Sequence, residues 1–89
     1  MGQVALTSEL VRAARALLRW EQRHLADASL VSLPTVKRLE SKPGKLVAHA
    51  PTLAALTRAL EAAGVEFIDE NGGGPGVRFR KRQRATQSK

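Results

Sequence analysis

Only three aromatic side chains, Trp20, Phe67 and Phe79, are available to the interior of this 89-residue chain, although 43% of its residues are hydrophobic. The core must therefore be assembled from Leu, Val and Ala, and the abundance of Leu and Ala, both strong helix formers, points to a mostly α fold. The length leaves room for one small domain and not for a second core. With no cysteine, a disulfide scaffold, a thiolate metal site and thiol catalysis are excluded, and a reducing compartment is expected. Residues 1–10 lack the basic start and apolar stretch of an export signal, and no apolar run approaches the roughly 18 residues of a membrane span. A soluble, cytoplasmic protein with no membrane partner is expected.

Charge is distributed unevenly. The formal net charge is +7. Nine of the 15 Lys and Arg residues and all eight carboxylates lie at or before Val77, so that part carries +1, while the last twelve residues carry +6. A flexible basic arm including Arg80, Lys81, Arg82 and Arg84 would attract a polyanion without regard to sequence and in a salt-sensitive way. Its plainer role is to keep the chain in solution. Any specificity has to come from the nearly neutral body.

Along the body the apolar residues recur with the 3.6-residue period of helices. Thr7 or Ser8 can cap a helix over about residues 8–18 with Leu10, Ala13 or Ala14, Leu17 and Leu18 inward and Leu6 stapling its entry. Arg12, Arg15 and Arg19 fall on its outer side, where solvated charges are expected. A second helix of two turns covers about 21–28 with Leu25 and Ala26 inward, and Ser29 and Leu30 break it. Ser32 then caps a third helix at about 33–41, with Pro34 in the first turn, where a missing N–H costs little. Val36 and Leu39 are its buried stripe; Leu33, Pro34, Lys37, Arg38 and Ser41 lie opposite. Residues 42–50 read as a loop around Pro43-Gly44. Pro51 and Thr52 open a fourth helix with Leu53, Leu56, Leu60 and Ala63 inward, ended by Gly64 in a left-handed turn.

After Gly64 the period drops to 2. Val65, Phe67, Val77 and Phe79 alternate with Glu66, Ile68, Arg78 and Arg80 around the turn sequence Asn71-Gly72-Gly73-Gly74-Pro75-Gly76, which predicts a β-hairpin. Glu66 and Glu70 are placed to pair with Arg78 and Arg80. Two strands alone are marginal in water, so the apolar side carrying Phe67 and Phe79 must pack on the helices or on another copy of the chain. From Lys81 onward no period remains, and disorder is expected. The organisation is thus a helical domain over 1–64, a hairpin extension over 65–80 and a flexible basic tail over 81–89.

The run from Gln22 to Glu40 has the spacing of a helix-turn-helix: a small Ala26 where two helices cross, Leu25, Val31, Val36 and Leu39 filling the contact, and a cap at Ser32. It resembles the xenobiotic-response-element (XRE) family, the Cro and lambda-repressor-like DNA-binding proteins. Similarity is strongest to short bacterial members, through Leu6-Thr7-Ser8-Glu9, Val31-Ser32-Leu33-Pro34-Thr35-Val36-Lys37-Arg38-Leu39-Glu40 and Ala59-Leu60-Glu61-Ala62-Ala63-Gly64-Val65-Glu66-Phe67-Ile68. The likeness spans about residues 6–79. It implies a compact four- to five-helix domain, often a homodimer, whose third helix enters the major groove of double-stranded DNA, with no catalysis and no cofactor. Two positions depart from the family pattern: Leu30 stands where a turn glycine is usual, and Glu21 where a Ser or Thr caps the second helix.

Carried over position by position, the resemblance puts Leu33, Pro34, Lys37 and Arg38 against base edges. Lys37 or Arg38 could donate to guanine O6 and N7, and Leu33 and Pro34 could offer apolar contact, for example with a thymine methyl. Gln22, Ser32, Ser41, Lys42 and Lys45 would bind phosphates. Other chemistries lack support. His24 and His49 have no further ligands at metal-site spacing, the Gly-rich turn has no Gly-Lys-Ser/Thr and opens no helix, and no oriented nucleophile is suggested. The expected function is a sequence-specific transcriptional regulator reading an inverted repeat. An alternative is a helix-turn-helix scaffold that binds a protein partner, such as another transcription factor, as an antiactivator, antitoxin or adaptor, for which the apolar Leu30, Leu33 and Pro34 are suited. A third is non-specific nucleic-acid binding through the tail alone. No effector domain is expected after the helical unit.

Overall fold

Each helix begins where the sequence supplies a polar cap or a proline. In the computed structural model, which describes residues 5–81, α1 spans Ser8–Leu18, and Thr7 Oγ1 accepts the Leu10 N–H at 3.1 Å. It buries Leu10, Val11 and Ala14, so Ala14 rather than Ala13 faces the core. Arg19, in the left-handed region at φ 58°, ends it, its N–H donating to Ala16 O at 3.1 Å and that of Trp20 to Arg15 O at 2.8 Å. The second helix, α2, covers Gln22–Ser29, and α3 covers Leu33–Glu40 with Pro34 in its first turn. The fourth, α4, runs over Ala50–Ala62, again with a proline at its start. Gly64 follows at φ 122°, a conformation that L side chains rarely adopt.

The expected hairpin is present. Strand β1, Val65–Ile68, pairs antiparallel with β2, Gly76–Phe79, in the register Val65–Phe79, Glu66–Arg78 and Phe67–Val77. Its apolar side is covered from within: Val65 is fully buried, and Phe67, Val77 and Phe79 pack against the helical core. Strand β1 lies on α4 and β2 on α1. Glu66 meets Arg78 at 2.7 Å as expected. The second cross-strand pair does not form, because Glu70 lies beyond the end of β1 and the Arg80 side chain turns toward α4.

One core joins all six elements. Leu25, Leu56, Leu60, Val11, Val36 and Val65 are its deepest side chains, and Leu6 and Leu46 close its edge. Trp20 is half-buried and packs against it. No described helix is long and apolar enough to cross a membrane.

Candidate nucleic-acid interface

The unit made by α2, a three-residue turn and α3 rests on local hydrogen bonds that the sequence only partly announces. Glu21 precedes α2, and its backbone N–H is satisfied at 2.8 Å by His24 Nδ1, one turn further on. His24 thus does the work of the glutamate or glutamine usual at that place. Leu30 ends α2 at φ 64°, with its N–H on Ala26 O at 2.9 Å. A non-glycine residue in that region costs on the order of 1–2 kcal/mol. The turn tolerates it with help from Ser29, whose buried hydroxyl donates to Leu25 O at 2.7 Å and accepts the Val31 N–H at 3.2 Å. Ala26 is buried where the helices cross, whereas Leu30 is 91% exposed. The turn therefore places a strained leucine in solvent, beside a groove lined by Arg23, Asp27 and Leu33.

Ser32 starts α3 as expected, its hydroxyl accepting the Thr35 N–H at 3.3 Å. Val36 and Leu39 turn inward. On the other side Pro34, Lys37, Arg38 and Ser41 are exposed and Leu33 is half-buried. Among the described residues neither Lys37 nor Arg38 has an ion-pair partner. Lys42 and Lys45 stand exposed in the loop that follows. That loop is pinned to the start of α1. Gly44 N–H donates to the Glu9 carboxylate at 3.0 Å, Ser8 N–H to Gly44 O at 2.9 Å and Leu46 N–H to Leu6 O at 3.1 Å. Hydrogen bonds from its own backbone N–H and then from Gly44, aided by Ser8 and Arg12, hold the Glu9 carboxyl below its ordinary range against a smaller desolvation effect. The four cations Lys37, Arg38, Lys42 and Lys45 are thus carried on one short helix and an anchored loop.

Behind that outward side lies a contact that spacing did not predict. Arg15 clasps Glu40 with two parallel bonds, Nη2 to Oε1 at 2.6 Å and Nε to Oε2 at 2.9 Å, and its Nη1 donates to Trp20 O at 3.0 Å. Gln22 Nε2 donates to the same Oε1 at 3.1 Å, and Arg12 Nη1 to the Glu40 carbonyl at 3.0 Å. Glu40 is buried, so the expectation of solvated charges on the outer side of α1 fails at Arg15, and Arg12 is bonded as well. Gln22, expected on phosphate, has its amide committed to Glu40 instead. The signal was present: Glu40 stands four residues after Val36, on the buried stripe, and a carboxylate there requires a cation. The effect is to lock α3 to α1 and α2 and so fix the direction in which Lys37 and Arg38 project.

Arg80 is not part of a free arm. Its backbone N–H donates to Gly64 O at 2.8 Å, and its guanidinium reaches the carbonyls of Glu61 and Val65, closing the C-terminal end of α4. Lys81 is exposed, and Arg82 and Arg84 lie outside the described residues. Phe67 and Phe79 belong to the packing of the chain's own core. A recess runs along α4 and β1 past Leu53, Thr57 and Phe67; no α3 residue lines it, but Lys45 of the following loop does. Among the described residues no three His, Asp or Glu side chains gather as metal ligands do.

No protein-family model matches the chain, and no curated protein matches it.

Proposed function

We propose that this protein is a DNA-binding transcriptional regulator of the helix-turn-helix type, reading the major groove with α3 as members of the XRE family do, and acting as a homodimer on an inverted repeat. What supports the reading is the outward side of α3, where Lys37 and Arg38 are exposed and without ion-pair partners among the described residues, on a helix held rigidly from behind by Arg15 and Glu40. Lys42 and Lys45, exposed in the loop that follows α3, are the proposed contacts to backbone phosphates. Arg38 has the planar fork that matches guanine O6 and N7, and Lys37 can donate to the same atoms. Catalysis has no part in this proposal.

Selection from a random duplex pool at about 150 mM salt tests it, because non-specific attraction is weakened there. A dyad-symmetric sequence is expected to emerge, and changing Lys37 and Arg38 to alanine is expected to relax specificity at particular base pairs by about 1–3 kcal/mol. A pool that never enriches overturns the proposal. One observation favours a second reading, a scaffold that docks a protein: Leu30 combines a strained backbone with 91% exposure. If the Lys37 and Arg38 changes leave DNA binding intact while Leu30→Gly abolishes capture of a protein partner, that reading replaces the first.

A further inference from the structure

One row of backbone groups on the hairpin has no partner. The Arg80 N–H donates to Gly64 O at 2.8 Å. With Val65 opposite Phe79 and Phe67 opposite Val77, that bond assigns the exchanged hydrogen bonds of the ladder to Glu66 with Arg78 and to Ile68 with Gly76. The N–H and C=O groups of the intervening residues therefore point away from the partner strand. On β1 this outer edge is taken up by the chain itself, since Val65 O accepts from the Arg80 guanidinium and α4 lies against the strand. On β2 nothing answers: among the described residues no group bonds the outward backbone of Val77 or Phe79. Their side chains pack on the helical core, so this edge offers backbone. It has no proline from Gly76 to Lys81 and no bulge in its register, two of the devices that usually close an edge. Its charge is polarised. At one end the turn brings Asp69 and Glu70, exposed and without ion-pair partners among the described residues, to the start of β2. At the other, β2 leads to the exposed Lys81, and the sequence continues Arg82-Gln83-Arg84. An edge that is acidic at one end and basic at the other complements a copy of itself laid antiparallel, whereas an extended peptide of a single sign meets like charge at one end.

We infer that β2 is the seam of the homodimer: β2 of a second copy adds antiparallel across a two-fold axis at Val77, joining two hairpins into one continuous sheet. This rests on the homodimer part of the reading above and names its interface. Charge selects the register. An axis at Arg78 sets two arginines directly opposite each other, and an axis at Phe79 sets Arg78 opposite the partner's Arg80, both unfavourable. With the axis at Val77, Arg78 stands opposite the partner's Gly76. Both outward N–H groups of each copy then find a carbonyl, Val77 on the partner's Val77 and Phe79 on the partner's Pro75. Lys81 is carried to the turn end of the other hairpin, the end that holds Asp69 and Glu70. The same patch serves both copies, as a two-fold interface requires.

The test uses the full chain without DNA, in analytical ultracentrifugation at tens of micromolar, where a dimer is expected. Val77→Pro removes an outward N–H that the ladder with β1 does not use. It is expected to keep the far-UV circular dichroism of the native chain and to weaken self-association by about tenfold or more, because the bond is lost twice across the axis. The chain has no cysteine, so a single introduced thiol can cross-link only between copies. Val77→Cys is expected to give a covalent dimer on mild oxidation, since the Cα atoms of such a directly opposed pair lie about 5.5 Å apart. Arg78→Cys, offset from its own copy in this register, is expected to cross-link far less. Should Val77→Pro fail to fold, the two cysteine variants decide. A folded Val77→Pro chain that still sediments as a dimer, or Val77→Cys cross-linking no better than Arg78→Cys, overturns this interface and leaves the homodimer standing. A native chain that stays monomeric overturns the homodimer with it and leaves the edge to an extended peptide of another protein, while the duplex selection still judges DNA binding.

Discussion

Arg15–Glu40 and Arg78–Glu66 are guanidinium–carboxylate pairs of nearly equal length, 2.6 and 2.7 Å, in two different settings. The first joins α1 to α3, with side chains 17% and 4% exposed, and also holds Gln22 and the Trp20 carbonyl. The second spans the hairpin with side chains 66% and 35% exposed. Distance alone does not rank them. If one half of the hairpin pair is lost, water solvates the other; if Glu40 is lost, a guanidinium remains in a poorly solvated place beside a helix junction. The part of the protein that presents cations is braced by ionic bonds from behind, whereas the hairpin is held by Val65, Phe67, Val77 and Phe79 and carries its ion pair as an accessory.

The largest effect expected is therefore at Glu40. Glu40→Ala should lower the unfolding free energy by about 3–5 kcal/mol in urea titration, and replacing Arg15 by Met together with Glu40 by Leu should recover most of it. A loss below about 1 kcal/mol would place this pair with the exposed one and dissolve the contrast. Next in size is the strain within the braced region. Leu30→Gly should gain about 1 kcal/mol, seen as a rise in Tm, since relief of the left-handed conformation outweighs the extra freedom of unfolded glycine. At the hairpin, Glu66→Gln should cost no more than about 1 kcal/mol, and the cost should shrink in about 1 M salt.

The smallest effect belongs to Glu9, which pins the loop carrying Lys42 and Lys45. Because folding depresses its pKa from the ordinary 4.5, its contribution is present above that value and is lost as pH falls through the lower folded value. The stability difference between the native chain and Glu9→Gln should accordingly be constant from pH 7 to about pH 5.5 and close below pH 4.5. A difference that persists unchanged to the acid limb would mean that the carboxylate does not hold Gly44.

Sequence periodicity made the local parts of this fold legible, because helix caps and strand alternation act over a few residues. Thr7, Ser32, Pro34 and Gly64 mark element ends, and the switch from a period of 3.6 to 2 after Gly64 marks the hairpin. Of the bracing only the demand was legible, since Glu40 falls on the buried stripe of α3 and calls for a cation there, whereas the cation that answers it was not. Arg15 and Glu40 are 25 residues apart, and an arginine on an amphipathic helix reads as solvated until the packing brings a buried carboxylate to it. Arg80 misled for the same reason: it opens a basic run in sequence, yet the hairpin register carries it to the end of α4. The candidate site is intermediate. Lys37 and Arg38 were readable as an outward pair, whereas the commitment of Gln22 to Glu40 depended on the way three helices meet.

Trp20 stands at the joint where α1 hands the chain to α2, half-buried, with its carbonyl held by Arg15 and its ring 6.4 Å from that of His24. As the sole indole of the chain, it is a built-in optical probe at one edge of the ionic brace. Its emission can follow loosening of that joint without any attached label.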